Sequence, residues 1–171
     1  MWVDDGGAVL NCASYSFRSD ALPWATSRTQ HTAHHLTMEK KFRKTMTSLD
    51  DVFDFLSQSM DACNVDAPAA FAVNLAVEEF FTNMVKYGSG QHNDILVSLT
   101  REARCLTVSL VDSDVDPFDV TKAGDIDPAR PLHERKIGGL GIHLAKHMVD
   151  SISYEYVNRH SKITFTKNLE K

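Results

Sequence analysis

No apolar run in this 171-residue chain is long enough to span a bilayer, and its N-terminus has no basic segment followed by an apolar stretch. With neither an anchor nor a leader to be read, a cytoplasmic location and no membrane partner are expected. Cysteine is scarce: Cys12, Cys63 and Cys105 form an odd set without a Cys-x-x-Cys pair. That pattern excludes a disulfide framework and a zinc ribbon, and it reads as three reduced thiols. Positive charge is in the minority, 18 Lys and Arg against 23 Asp and Glu, so no direct nucleic-acid partner is expected, since phosphate binding needs a basic face. There is no internal repeat. What remains is an ordinary globular composition, 43% apolar and 24% charged, at a length suited to one well-cored domain.

The first 36 residues lack any sustained period. They mix Gly6-Gly7, Pro23 and scattered Ser and Thr with His31, His34 and His35, and are expected to form a poorly ordered arm. The histidine cluster suits a solvated tail better than a metal site. Met38 opens what looks like a natural first strand and is an alternative start of translation. The domain proper is expected over 37–171.

Polarity alternates from Lys40 to Met46, as in a half-buried strand. Ser48 then resembles an N-cap with Asp51 at the third position, and Val52, Phe53, Leu56 and Met60 recur at helical spacing to about Ala62. Asp66 and Pro68 open a second, longer helix that ends near Lys86, before Tyr87-Gly88-Ser89-Gly90. Two alternating segments, Asn93–Thr100 and Arg104–Val111, predict a hairpin of a one-sided antiparallel sheet. A Pro- and Asp-rich stretch over 113–137 has little periodicity, which inside a compact domain marks a functional or disordered loop. Gly138-Gly139-Leu140-Gly141 opens a third helix with an expected apolar stripe of Leu140, Leu144 and Met148. The strands Ser151–Val157 and Ser161–Lys167 close the chain. The order is β-α-α-β-β-loop-α-β-β, an α+β two-layer sandwich with a mixed or antiparallel sheet and helices on one face.

Three constellations could carry chemistry. Glu79 and Asn83 are four apart and so share a helix face, with Ala72 and Ala76 on that face one and two turns earlier. Small neighbours would leave room for a ligand. A carboxamide and an unpaired carboxylate suit a magnesium ion on Asn83 Oδ1 and a proton acceptor at Glu79, though taken alone a pair facing solvent is the simpler explanation. Asp112 ends a strand, where a carboxylate can accept the exocyclic amino hydrogen of adenine; an Asp-rich turn is the simpler alternative. Glycines at a helix N-terminus let backbone N–H groups close on phosphate, with Arg135 and Lys136 beside them as positive charges. No Lys-Ser or Lys-Thr follows, so this is not a Walker A loop. His143 and His147 have a metal-ligand spacing without a third ligand, and a helix-surface role fits them better.

In order and spacing these parts resemble the ATPase domain shared by gyrase, bacterial histidine kinases and MutL, the GHKL or Bergerat fold. Within it the bacterial anti-sigma-factor serine kinases are most similar, on EEFFTNMVKYG, DSDVDPFDV and IGGLGIHLAKHMVD, over roughly Glu39 to the C-terminus. The resemblance implies Glu79 as general base and Asn83 as ligand of Mg2+. It implies Asp112 as the adenine-recognising carboxylate, and Lys86, Arg135, Lys136, Gly138, Gly139, Leu140 and Gly141 as further ATP contacts. Residues 113–137 would be the ATP lid. It also implies a serine kinase of transcription regulation whose partners are a sigma factor and an anti-anti-sigma antagonist, in a homodimer. One departure stands out. The family's glycine two residues after the strand-end Asp is Asp114 here, and the following Pro-Phe-Asp is displaced by one. Asp114 therefore competes with Asp112 for the adenine position, and the second charge favours the alternative of a binding module with weak or no nucleotide affinity.

Overall fold

The computed structural model describes residues 36–89, 93–117, 119 and 139–169. The expected arm over 1–36 falls, but for Leu36, outside them, as does most of the expected lid. The elements are β1 (Leu36–Arg43), a 3-10 turn (Met46–Ser48), α1 (Leu49–Ala62), α2 (Ala67–Tyr87), β2 (Asp94–Glu102), β3 (Cys105–Ser113), α3 (Gly139–Met148), β4 (Ser151–Val157) and β5 (His160–Asn168). The strands form one sheet, ordered β1-β2-β3-β5-β4, in which every neighbouring pair is antiparallel.

Alternation places Ile95, Val97 and Leu99 of β2, Leu106, Val108 and Leu110 of β3, and Ile163 and Phe165 of β5 on one buried face. Against it pack Val52, Leu56 and Met60 of α1, Val73, Val77, Phe80 and Phe81 of α2, and Ile142 and Ala145 of α3. The opposite face carries Ser98, Thr100, Thr107, Ser109, Thr164 and Thr166, the polar alternates of the same strands. This is the expected two-layer sandwich, and its sheet is wholly antiparallel.

Local chemistry explains most boundaries. Asp66 caps α2 by accepting the Ala69 amide at 2.8 Å, and Pro68 sits in the first turn where its missing N–H costs nothing. The α1 start differs from expectation. Ser48 has helical dihedrals and makes no cap bond, because the 3-10 turn comes first and Thr45, with extended dihedrals, precedes it. The Arg101 guanidinium donates to the carbonyl of Cys63 at the end of α1, and Lys167 Nζ donates to that of Met148 at the end of α3, 2.8 Å away. Asn158 and Arg159 both adopt positive φ (51° and 64°), the type I′ pattern that suits the right-handed twist of a two-residue hairpin. In α3 the stripe is rotated from the expected one: Ile142, Ala145 and Val149 are buried and Leu144 is exposed. Cys63 is a buried free thiol, pushed up by burial against the opposing charge of Arg101. Cys105 is disulfide-bonded, which corrects the expectation of three reduced thiols. Among the described residues no helix is long and apolar enough to cross a membrane.

The Phe80 and Phe165 rings meet at 5.7 Å between centroids, both fully buried, and tie α2 to β5. Phe165→Ala should cost about 3–5 kcal/mol of stability, measured by urea denaturation; a loss under about 1 kcal/mol would contradict this account of the core.

Candidate functional site

The α2 face that bears Glu79 and Asn83 points at α3. Ala72 and Ala76 on that face are buried, Ala76 within the main core. One and two turns later the packing opens into polar groups.

Glu79 lies against Gly141, in the first turn of α3. A Cβ placed on Gly141 would fall on the Glu79 carboxyl group itself, so the absence of a side chain there admits the carboxylate to the helix N-terminus. Burial raises the Glu79 pKa, repulsion from Glu78 adds to the rise, and Lys86 on the exposed flank of α2 opposes it. Asn83 is 5% exposed, and its Nδ2 donates to the Glu79 carbonyl one turn back. That bond orients the amide so that Oδ1 is the atom turned away from the helix backbone, a hard oxygen suited to a small divalent cation.

The second part of the site lies at the exit of β3. Asp112 is the last core-facing residue of the central strand, between Ile95 and Ser161 of its neighbours, and is 2% exposed. Its Oδ2 is 2.6 Å from Lys44 Nζ, and its Oδ1 has no hydrogen-bond partner among the described residues. Burial raises the Asp112 pKa, while Lys44 and the Ser113 amide hold it back. Beside it is a cavity of about 10 Å³, lined by Met84, Gly88, Val115, Asp116, Ser161 and Ile163 as well as Asp112.

Asp114 goes elsewhere. Its side chain is 72% exposed and paired with Arg159 at 2.5 Å, and its φ is 55°. The position therefore demands the left-handed backbone that glycine adopts freely and that aspartate tolerates better than most residues. Of the two competing carboxylates it is Asp112 that lines the cavity. Gly139 and Leu140 begin α3, without a description of the Leu140 side chain; Arg135, Lys136 and Gly138 lie outside the described residues. Lys86 is exposed, near enough to Glu79 to act on its charge. His147 is exposed, its Nδ1 lies 2.8 Å from the His143 carbonyl, and the two rings meet at 4.3 Å with a tilt of 46°; His143 is half-buried, its Nδ1 without a partner among the described residues.

Sequence reasoning missed Lys44, which follows β1 and reads there as one more strand-end cation; only the fold carries it under Asp112. Gly88 ends α2 as expected, as its C-cap. This residue has extended dihedrals (φ −75°, ψ 135°), so it is no left-handed helix stop. A Cβ there would lie 2.5 Å from both Lys44 Nζ and the Met84 carbonyl oxygen, and that crowding is what requires glycine.

Two outcomes follow from the Glu79–Gly141 contact. In Gly141→Ala the flexible carboxylate has to swing out, so the Glu79 titration should fall back toward the ordinary carboxylate range in a carbon-detected NMR titration. The melting temperature should hold or rise, since Ala favours a helix by about 1 kcal/mol over Gly. An unmoved Glu79 titration would refute the contact. Because the folded state raises the Glu79 pKa, its contribution to stability is full below the unfolded titration near about pH 4.3 and is lost as pH rises through the folded value. Glu79→Gln should therefore be more stable than wild type at neutral pH, and this advantage should disappear below about pH 4; urea melts at the two pH values would show no such difference if the carboxylate were freely solvated.

The site can thus offer a poised carboxylate, an oriented amide oxygen and a buried carboxylate oxygen without a partner, held around the start of one helix and the exit of one strand. Residues 42–167 match the sequence model of the histidine kinase-like ATPase domain. No curated protein matches the chain. Among solved structures, that of the RsbU and RsbW domains of Rv1364c from Mycobacterium tuberculosis is similar in fold, with a TM-score of 0.59 at 14% identity. The likeness covers 80% of this chain and 33% of that one, so this chain spans about a third of the length of the protein it matches. The chain belongs to the histidine kinase-like ATPase domain family.

Proposed function

We propose that this domain binds ATP with Mg2+ and transfers the γ-phosphoryl group to a serine of a small antagonist protein, as an anti-sigma partner-switch kinase. The observation that carries the reading is the seating of Glu79 on Gly141, one helical turn from Asn83. Glu79 as proton acceptor, Asn83 as cation ligand and the start of α3 as phosphate cradle would then lie along one turn of α2 and the residue packed on it. The resemblance of the three sequence motifs to anti-sigma-factor serine kinases supplies the substrate class and the partners, a sigma factor and its antagonist.

The residues present fit the nucleotide. Asp112 Oδ1 is a buried acceptor with nothing to accept, as recognition of an exocyclic amine requires. The backbone N–H groups at the start of α3, where Gly139, Leu140 and Gly141 lie, would take the phosphate oxygens. Asn83 Oδ1 would hold Mg2+, with the remaining ligands from phosphate and water, the usual division for this ion. The bound ion neutralises charge on the transferring group. Lys86 would add positive charge at the rim, and Arg135 and Lys136, ahead of α3, would do the same at the phosphates.

Glu79 then acts on the acceptor. Its carboxylate takes the proton of the serine hydroxyl as the serine oxygen forms its bond to the γ-phosphorus and the bond to the departing ADP oxygen breaks. A raised pKa suits this, because a stronger base removes a hydroxyl proton more readily. Little other covalent chemistry is needed, phosphoryl transfer depending chiefly on position and charge.

A second reading, a binding module that sequesters a sigma factor or antagonist without useful catalysis, is favoured by the tightness of the Asp112 cavity, which at about 10 Å³ admits a single water. Under the kinase reading the Val115–Asp116 wall has to open for the base. The charge of Asp114 does not distinguish the two readings, since Arg159 compensates it.

Incubation with labelled ATP, magnesium and the cognate antagonist decides between them. Wild type should label a serine, Glu79→Gln should lose roughly 10²–10⁴-fold in rate, and both should gain melting temperature from ATP with magnesium. Asn83→Ala should lose the magnesium-dependent part of that gain. Tight antagonist binding without label or nucleotide stabilisation would establish the binding module instead.

A further inference from the structure

We infer that Lys44 sets the purine preference of the Asp112 cavity: its buried ion pair with Oδ2 keeps the carboxylate an acceptor only, so that Oδ1 selects a 6-amino over a 6-oxo purine. The inference rests on the adenine reading of Asp112 above and adds to it a residue outside the three family-like motifs.

The geometry is unusual for a lysine. Its side chain is 1% exposed, and Nζ makes two close contacts at 2.6 Å, with Asp112 Oδ2 and with the Ser89 carbonyl. Lysine is rarely buried so completely unless paired. Gly88 makes the approach possible, since any Cβ there would stand 2.5 Å from Nζ and 3.1 Å from Oδ2. Lys44, Gly88 and Asp112 therefore form one unit in which the cation takes one carboxylate oxygen and leaves the other, without a partner, beside the cavity.

The proton on Asp112 decides what that oxygen can recognise. An ionised carboxylate only accepts hydrogen bonds, whereas a protonated one also donates. Adenine offers an amino donor at position 6; hypoxanthine and guanine offer a carbonyl acceptor there. Burial favours the protonated acid, and Lys44, through its hydrogen bond and its charge, is the main opposing influence. The other charged group at the cavity is Asp116, from the segment after β3, which faces Arg159 at 3.4 Å. The remaining walls are Met84 and Gly88 at the end of α2, Val115, and Ser161 and Ile163 of β5, none of them titratable. Among the described residues lining or touching this carboxylate, Lys44 is thus the cation that decides its state.

The test measures binding of ADP and inosine diphosphate, with magnesium, to the full chain at pH 6 and pH 8. Wild type should prefer ADP by the same factor at both. Lys44→Met should lose roughly tenfold to a hundredfold of that preference at pH 6, the worth of a hydrogen bond to a charged group. It should recover part of it at the higher pH, as the medium draws the proton from Asp112. Lys44→Gln retains a donor toward Oδ2 without charge; it should show a smaller loss in the same direction, and it serves if the methionine variant does not fold. A carbon-detected titration of Asp112 in the nucleotide-free protein should move upward in either variant. A folded variant that keeps the wild-type ADP preference at both pH values overturns the role of Lys44 while leaving the nucleotide site intact. Failure of wild type to bind ADP overturns the site and this inference together.

Discussion

Close contact between α2 and α3 is the constraint on which the rest of this molecule depends. Two helices approach closely only where a facing residue is small, and here that residue is Gly141, set against Glu79. The same approach that buries Ile142 and Ala145 in the core delivers the start of α3 to the Glu79 carboxylate. Packing and chemistry are not separable here. A larger residue at Gly141 would push away the group whose proton affinity the interface raises.

The second half of the site follows from the sheet. Alternation along β3 puts Asp112 on the core face, where every earlier alternate is aliphatic. A carboxylate at such a place has to be compensated. Lys44 does this from below, across the glycine that ends α2, so the cost of the buried charge ties the end of β1, the end of α2 and the exit of β3 into one cluster. Breaking such a pair from one side leaves an uncompensated charge, which explains why the cluster is so densely contacted on the Oδ2 side. Oδ1 has no hydrogen-bond partner among the described residues, beside the cavity that Asp112 lines.

The family assignment and the site geometry bear on each other without being the same evidence. Membership rests on the match over residues 42–167, and the similarity to the Rv1364c structure shows the fold. Neither speaks of the substrate. That part of the account stands on Glu79, Asn83 and Asp112 and on the motif resemblance.

Much of the fold was legible in the chain because its signals are local. Alternation in β2, β3 and β5, the Asp66–Pro68 helix start, and the Asn158–Arg159 turn each depend on residues within a few positions of one another. So does the one-turn spacing of Glu79 and Asn83. What local pattern could not decide is which of two available partners a group meets. The stripe of α3 came out rotated because the interface with α2 selects Ile142, Ala145 and Val149 over Leu144. Asp112 and Asp114 were equivalent as letters, and two positions apart they would share one face of an extended strand; the strand ends at Ser113, and the left-handed backbone of Asp114 turns its side chain out to Arg159. Lys44 and Gly88 acquire their meaning only when elements far apart in the chain are brought within a few ångströms. The amino-acid order thus determined the elements, their succession and the candidate chemistry; the tertiary structure decided which carboxylate is buried, what neutralises it and which helix face closes the site, because burial and charge compensation are properties of assembled neighbours.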